Sequence, residues 1–250
     1  MQLFFIDEQI NPDEVVTLAA SDFKHAVQVL RMKVDTKIQI ADGTATAYPA
    51  KIINIEPATS TIEAVITGEP LADTELPLAA EIICGLPKRE KADWIVQKAT
   101  ELGVTRIIFF AADRSIMQWR ANQADKKLTR LQQIAHDAAA QSHRRRVPEV
   151  VYWPKLKTAL PTTGFNLVAY EEVVKEHEDF GLVKAFKQLQ TNPETVRMIF
   201  GPEGGLTVSE VAQLQEVGVQ PVGLGPRILR TETAPLYFLS SLSYTMELLK

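Results

Sequence analysis

The spacing of apolar residues along the chain changes near residue 70. Before that point, β-branched residues are concentrated in short runs, which lie at 36–41, 44–56 and 59–67. Turn-forming residues, Asp42-Gly43 and Pro57, separate these runs. The pattern therefore predicts a small antiparallel barrel.

An amphipathic helix is predicted within this first region, over residues 21–32. Apolar residues recur there at helical spacing and predict a face made of Phe23, Ala26, Val27 and Leu30. Another stripe of the same helix carries Lys24, Gln28 and Arg31. Lys24 and Arg31 therefore lie together, away from the apolar face.

The second region follows a segment typical of a linker, 68–77, which contains two prolines and three acidic residues. Beyond it, apolar runs alternate with amphipathic segments, a rhythm that predicts a mostly parallel sheet flanked by helices. These runs lie at 78–87, 104–112, 166–170, 196–200 and 220–225. We therefore predict an α/β protein with a barrel domain at 1–72 and a sheet domain at 73–250.

Composition and charge exclude several classes of protein. The net charge of −4 argues against a wholly basic nucleic-acid binder, although it leaves local basic patches open. A single cysteine, Cys84, excludes an internal disulfide, and the four histidines lack ligand spacing, so we expect no metal site. No run has the apolar length of a membrane span, and the first residues lack a signal-peptide pattern. We expect a cytoplasmic protein without membrane contacts.

A glycine-rich turn, GPEGG at 201–205, follows an apolar run and precedes a helical pattern. Its glycines let a ligand approach the main chain, while Pro202 stiffens the turn and removes one donor. Thr207 and Glu210 then form a T-x-x-E capping box, which predicts the start of a helix. Many such turns bind nothing, so this turn alone leaves a structural and a ligand-binding role equally open.

A second turn, at 224–235, combines glycine with charged and hydroxyl side chains. It does not match the dinucleotide fingerprint, because Ile228 stands where the third glycine would be, and it has no P-loop lysine. Thr231 or Thr233 is placed to cap the following helix, with Glu232 near its positive end. Two arginines, a glutamate and two threonines exceed what capping requires, and they favour a binding site.

Seven blocks of sequence carry a resemblance to a known family. They are HAVQVLRM (25–32), ADG (41–43), WIVQKATELGV (94–104), KKLTRLQQIAHDAAAQS (126–142), RVPEV (146–150), IFGPEGGL (199–206) and LGPRILRTETA (224–234). With these blocks the chain resembles the ribosomal RNA small-subunit methyltransferase E family, within the SPOUT class of knotted methyltransferases. The paired GPEGG and LRTETA blocks are its most specific part.

The resemblance implies a PUA-like barrel that binds RNA and a SPOUT α/β domain with a trefoil knot. It implies methylation of N3 of a uridine in small-subunit ribosomal RNA, with S-adenosylmethionine as methyl donor. The residues that would line the cofactor are Gly201, Pro202, Glu203, Gly204 and Gly205 from the first turn, and Leu224, Gly225, Ile228, Leu229, Arg230, Thr233 and Ala234 from the second.

A homodimer through the knotted domain is also implied. In that case the apolar residues of the C-terminal helix lie partly between protomers, unless they form an ordinary core. These residues are Leu236, Phe238, Leu239 and Leu242.

The predicted reaction needs loss of the proton on uridine N3 and stabilisation of the resulting charge. We expect Arg230 to stabilise that charge and Glu232 or Glu203 to accept the proton. Two alternatives stay open for the glutamates, which are helix capping and orientation of a threonine. A basic neighbour could also lower the pKa of the uridine enough for water to act as the base. In-line methyl transfer needs no metal.

Contacts to RNA are expected from local basic residues, because the net charge is acidic. The predicted RNA-binding residues are Lys24, Arg31, Lys88, Arg89, Arg114, Arg144, Arg145 and Arg146, with Lys91 beside the first helix of the second domain. We favour RNA contacts for Arg31 and 144–146 and leave 88–91 open. Each group is also consistent with a solvated face, and 144–146 with the dipole of a long helix.

Four positions depart from the family pattern. Ala140 and His143 replace the glutamate and glycine of an E-Q-S-G-R run, Ala112 replaces the serine of S-E-R, and Arg89 stands where glycine is common. The departures affect the predicted RNA-facing surface and leave the cofactor turns intact. Two alternatives follow, a SPOUT methyltransferase of another base or ribose and a non-catalytic RNA-binding ribosome-assembly factor. The expected partner is small-subunit ribosomal RNA or the assembling subunit.

Overall fold

The computed structural model describes residues 1–88, 90–115, 117–156, 160–172 and 181–249. Its contacts divide the chain into two compact units. The N-terminal unit is Met1–Glu75 with Ala139–Arg146, and the C-terminal unit is Leu76–Ala138 with Val147–Lys250. The short segment Ala139–Arg146 thus belongs to the N-terminal unit, although it lies far along the chain.

A five-stranded sheet forms the frame of the N-terminal unit. Its strands are β1 (Leu3–Phe5), β2 (Val15–Leu18), β3 (Lys37–Ala41), β4 (Ala47–Glu56) and β5 (Thr61–Ile66), in the order β1-β3-β4-β5-β2. The three predicted runs correspond to β3, β4 and β5, which pair antiparallel, as does β2 with β5. The pair β1–β3 is parallel, which the sequence pattern did not predict.

The predicted helix of this unit has a shorter α-helical part than its sequence pattern indicated, and the rest of it is a π-helix, which has more residues per turn. It runs as α1 (Ala20–Phe23) and continues as a π-helical segment (Lys24–Val29). Ala26 is buried as predicted, but Leu30 is 40% exposed, so its predicted place in the core was wrong. The Leu30 N–H donates to the carbonyl of His25, five residues back, and this wider turn rotates the later side chains about the axis.

A six-stranded sheet, entirely parallel, forms the frame of the C-terminal unit. Its order is β11-β9-β10-β6-β7-β8, with β6 (Ala80–Gly85), β7 (Arg106–Phe110), β8 (Glu149–Trp153), β9 (Phe165–Ala169), β10 (Val196–Phe200) and β11 (Gln220–Val222). The predicted parallel sheet is confirmed. Strand β8 is an addition, since no apolar run was assigned to it.

Helices connect these strands in the order expected of an α/β sheet. They are α2 (Lys91–Glu101), α3 (Ala121–Gln141), α4 (Gly181–Thr191), α5 (Val208–Glu216) and α6 (Thr233–Ser243), the last followed by a π-helical segment (Tyr244–Leu248). Every residue of β10 is buried, as in a sheet covered on both faces. The loops after the strands therefore gather at one edge, where ligands of such sheets bind.

Helix α6 is part of the core of its own unit. Phe238, Leu239 and Leu242 are fully buried, and the Phe238 ring lies 6.1 Å from that of Phe200 in β10. Leu236 packs against the same cluster. The interpretation as an ordinary core helix is confirmed for Phe238, Leu239 and Leu242, which are buried within one chain. A contact of the half-buried Leu236 with a second protomer stays a prediction.

None of the described helices combines the length and the apolar character needed to span a membrane. Within the described ranges, no three histidine, cysteine, aspartate or glutamate side chains are grouped so as to hold a metal ion.

Candidate functional site

The first glycine turn, called here the Glu203 turn (residues 201–205), leaves the end of β10 and folds tightly on itself. The Gly205 N–H donates to the Pro202 carbonyl at 2.8 Å, and Gly205 has a φ of +70°. Pro202 is buried against Gly85, the last residue of the neighbouring strand β6. A Cβ on Gly85 would lie 2.5 Å from the Pro202 nitrogen, so only glycine lets the turn come this close.

The start of helix α5 and the loop after β7 support the Glu203 turn. The predicted capping box is confirmed, because Thr207 Oγ1 accepts from the Glu210 N–H at 3.1 Å and Glu210 Oε2 accepts from the Thr207 N–H at 2.7 Å. Arg114 Nη1 donates to the Gly204 carbonyl at 3.2 Å. The guanidinium of Arg114, predicted as an RNA contact, is thus engaged in supporting the turn.

The second turn, called here the Arg230 turn (residues 224–234), leaves the end of β11 and is much more open. Gly225 has a φ of +91°, a backbone conformation that favours glycine. Ile228 is 86% exposed, and Arg230 is exposed beside it. Leu224 and Ala234, at the two ends of the turn, pack against the core. The Arg230 carbonyl accepts from the Thr233 N–H at 2.8 Å, which starts α6.

Capping does not account for the polar side chains of the Arg230 turn. The N-cap of α6 is Glu232, and its side chain makes no capping hydrogen bond. The predicted caps at Thr231 or Thr233 were therefore wrong, as was capping by the Glu232 carboxylate. Thr231 is buried, and Thr233 is the exposed first residue of the helix. The Glu232 carboxylate instead pairs with a lysine of α2.

The two turns meet at Lys91, the first residue of α2. Its Nζ lies 3.1 Å from Glu203 Oε1 and 2.9 Å from Glu232 Oε2. Glu203 Oε1 also accepts from the Lys88 N–H at 3.0 Å. The structure thus brings together two glutamates that are 29 residues apart in sequence, through a lysine that lies more than a hundred residues before either.

These contacts determine the charge of the cluster. Burial acts to raise the pKa of Glu203 and Glu232, but hydrogen bonds and the Lys91 ammonium outweigh it, and the pKa of each carboxyl lies below its ordinary value. The contact with Glu232, followed by that with Glu203, raises the pKa of Lys91. Both glutamates are ionised at neutral pH and are weak bases. The arrangement does not favour the predicted role of either as a proton acceptor.

The basic residues beside this site are only partly available for RNA. Lys88 is half-buried, and its main chain is anchored on Glu203. Arg89, predicted both as an RNA contact and as a departure from the family pattern, lies outside the described residues. Ala112, another departure, is buried in the loop after β7.

The arginine run of the N-terminal unit is divided between core and surface. Arg144 is 2% exposed and donates from Nε to Glu75 Oε1 at 3.0 Å, and Arg145 is 4% exposed and donates to the Ala72 carbonyl. Burial lowers the pKa of Arg145. Neither buried guanidinium is presented to a polyanion, so their predicted phosphate contacts were wrong, and Arg146 is the exposed member of the run.

His143 explains how the chain tolerates a missing glycine. Its φ is +58°, the left-handed conformation that a glycine adopts easily and other residues adopt at a cost of about 1–2 kcal/mol. Its ring Nδ1 lies 2.9 Å from Gln39 Oε1, and its carbonyl accepts from Thr74 Oγ1 at 2.7 Å. Lys24 and Arg31, in the same unit, are exposed as predicted, and Ala140 is buried.

Sequence reasoning missed two residues of the site. Lys91 was considered only as a member of a basic cluster, because no spacing rule connects it with positions 203 and 232. Gly85 was unmarked, although its position at the end of a strand and before Pro87 was a usable signal.

Two family models match the chain, an RNA methyltransferase domain at residues 74–243 and an RNA methyltransferase PUA domain at residues 18–64. The chain therefore belongs to the RNA methyltransferases that carry a PUA domain. More narrowly, it belongs to the ribosomal RNA small subunit methyltransferase E family. It is 37% identical to the member from Bacillus subtilis (strain 168), over 100% of this chain and 99% of that protein. The resemblance noted in the sequence is thus confirmed.

Solved structures agree with this assignment. A crystal structure of a ribosomal RNA small subunit methyltransferase E from Neisseria gonorrhoeae, bound to S-adenosyl methionine, is 30% identical and superposes with a TM-score of 0.81, covering 97% of each chain. A crystal structure described only as a hypothetical protein is 33% identical, with a TM-score of 0.86 over 100% of each chain.

Proposed function

We propose that this protein transfers a methyl group from S-adenosylmethionine to N3 of a uridine in small-subunit ribosomal RNA. The observation that carries the proposal is the meeting of the two glycine turns at Lys91, which pairs with Glu203 of the first turn and Glu232 of the second and so supports a single site formed by both turns. Membership of the family and the cofactor in the Neisseria gonorrhoeae structure support the same activity.

The residues of the two turns fit such a ligand. A Cβ on Gly205 would have no atom within 4 Å, so open space borders the Glu203 turn. Ile228 exposes an apolar surface on the Arg230 turn, suited to a flat purine. Open backbone and apolar surface are what the flat rings of a nucleoside require.

S-adenosylmethionine would supply the methyl group on a positively charged sulfonium. The chain itself must orient the uridine and lower the energy of its N3 anion, whose charge spreads over the neighbouring carbonyl oxygens. Arg230 is exposed at the turn and provides a positive charge for that purpose. Lys91 keeps Glu203 and Glu232 ionised, and these two residues contribute by fixing the positions of the two turns rather than by accepting the proton. We therefore assign the loss of the proton to water, made easier by a cationic neighbour that lowers the pKa of the uridine.

RNA binding is assigned to exposed cations of the N-terminal unit, which are Lys24, Arg31 and Arg146. For the two domains we keep the predicted limits, 1–72 for the PUA-like domain and 73–250 for the catalytic domain, and Arg146 lies outside the first of these ranges. Contacts of this kind give affinity that falls steeply with salt, and a salt-independent affinity would contradict them.

We also propose a homodimer that forms through the C-terminal domain, for which we keep the predicted trefoil knot. Helix α6 and the segment that follows it expose large side chains with apolar surface, which are Tyr237 (39%), Tyr244 (54%), Leu248 (72%) and Leu249 (50%). An exposed patch of this kind is typical of an interaction surface. Light scattering should give twice the mass of one chain, and a monomer at micromolar concentration would contradict this assignment.

Nucleoside mass spectrometry tests the reaction. Ribosomal RNA from cells that lack the protein should lose 3-methyluridine from the small subunit and regain it when the protein is restored. Loss of a different modification would favour a methyltransferase of another base or ribose. An unchanged modification pattern, together with no binding of S-adenosylmethionine in calorimetry, would favour the non-catalytic assembly factor.

A further inference from the structure

Lys91 connects three parts of the chain that no sequence motif connects. It begins α2, whereas Glu203 follows β10 and Glu232 precedes α6. The side chains of all three residues are partly buried, with exposures of 29%, 25% and 20% for Lys91, Glu203 and Glu232. An ion pair on an open surface contributes little, but this one is partly shielded from water and has two acceptors.

The charges of the cluster make the lysine necessary to the arrangement. Two ionised carboxylates that share one ammonium lie close together, and without that ammonium they would repel each other. Glu203 is fixed on one side by the Lys88 N–H, and the Glu203 turn by Arg114. The Arg230 turn has fewer anchors, so the repulsion would displace mainly that turn.

We propose that Lys91 is a positioning residue that holds the Glu203 turn and the Arg230 turn at the separation at which the cofactor binds. It acts through Glu203 and Glu232 and does not contact RNA phosphate. The inference rests on the proposed cofactor site, but not on which nucleotide is methylated.

The test compares four variants of the full chain with the wild type. Lys91→Met removes the ammonium and keeps a similar stem, and Lys91→Arg keeps the charge. Lys91→Met/Glu232→Gln removes the ammonium and one of the carboxylates that it leaves unpaired. Lys98→Met is the matched control, because Lys98 lies on the same helix and pairs only locally, with Glu101 at 2.7 Å. Calorimetry measures the dissociation constant of S-adenosylmethionine, turnover gives KM for RNA, and circular dichroism with thermal unfolding checks the fold.

Lys91→Met should weaken cofactor binding about tenfold, equivalent to the loss of one such interaction, and leave KM for RNA within about twofold. Lys91→Arg and the double variant should each recover part of the lost affinity, which a general loss of stability would not produce. Lys98→Met should bind the cofactor like the wild type.

Three results would overturn the inference. They are unchanged cofactor binding in Lys91→Met, an increase in KM for RNA without a change in cofactor affinity, and an equal loss of affinity in Lys98→Met. If Lys91→Met does not fold, the decision rests on Lys91→Arg and the double variant. A loss of cofactor affinity of about tenfold or more in both of these would contradict positioning through charge. A wild-type protein that does not bind S-adenosylmethionine would instead refute the proposed cofactor site itself.

Discussion

The Glu203 turn and the Arg230 turn differ in how firmly their surroundings hold them. The first is packed on Gly85, bonded by Arg114 and continued by a capping box. The second exposes Ile228 and has no side-chain cap at the start of its helix. In the proposed site, the Glu203 turn is therefore formed before any ligand binds, and the Arg230 turn has exposed surface left for the ligand. Pre-formed structure lowers the cost of binding, and open structure lets the substrate enter.

The largest effect is expected from the open turn. Arg230→Ala should lower turnover about a hundredfold or more, as loss of a group that stabilises developing charge does, while thermal unfolding stays near wild type because the side chain is exposed. Single-turnover kinetics with saturating RNA measures this. Turnover within about threefold of wild type would remove Arg230 from the reaction and weaken the contrast between the turns.

A methyl group at the packed side of the fixed turn should disturb the fold rather than the chemistry. Gly85→Ala places a Cβ against Pro202, and overpacking of this kind costs about 1–3 kcal/mol of the free energy of unfolding. Chemical denaturation measures the change, with Gly218→Ala as a comparison, because a Cβ there meets no atom within 4 Å and only the φ of +86° is unfavourable. Equal stability of wild type and Gly85→Ala would show that the turn is not fixed by this contact.

A substitution at Ile228 should change cofactor affinity without changing the stability of the fold. Its side chain is 86% exposed, so Ile228→Ser should leave the free energy of unfolding nearly unchanged. If the cofactor covers this side chain, its affinity should fall about tenfold, the effect expected from losing a buried apolar contact. Calorimetry on both proteins checks it. A clear loss of stability with unchanged affinity would reverse the assignment of the open turn as a ligand surface.

The smallest effect concerns pH. The pKa values of Glu203 and Glu232 are lowered, so both carboxylates are charged at and above the ordinary carboxyl pKa. Their ion pairs with Lys91 are lost only when the pH falls through the lowered pKa values. Lys91 has a raised pKa, so its charge persists through the ordinary lysine range. The ratio of cofactor dissociation constants for Lys91→Met and wild type should thus be constant between about pH 6 and pH 9.

Taking this ratio cancels the titration of the ligand itself. A change in the ratio near neutral pH would mean that a group of the cluster titrates there, as a general base does. That result would restore Glu203 or Glu232 to the role predicted for them from the sequence.

Local sequence predicted the parts of this site that depend on neighbours in the chain. The capping box at Thr207 and Glu210 was readable because both partners lie within one turn of helix. The alternation of apolar runs was enough for the parallel sheet. The position of both glycine turns after a strand and before a helix suggested one shared site, and family resemblance added the cofactor that such a site would bind.

Long-range pairing accounts for most of what the sequence did not predict. Arg144 looked like part of an exposed basic run, but its partner Glu75 lies 69 residues earlier and takes it into the interior. Leu30 lost its predicted burial because a π-helical turn changed the periodicity. Lys91 gained its two partners only through the folding of the sheet.

Hydrogen–deuterium exchange with and without S-adenosylmethionine tests most directly whether the two turns are walls of one cofactor site. Peptides that cover the Arg230 turn should gain strong protection, and peptides that cover the Glu203 turn a smaller gain, because that turn is already held in place. Protection of neither turn, or of a region remote from both, would contradict the account.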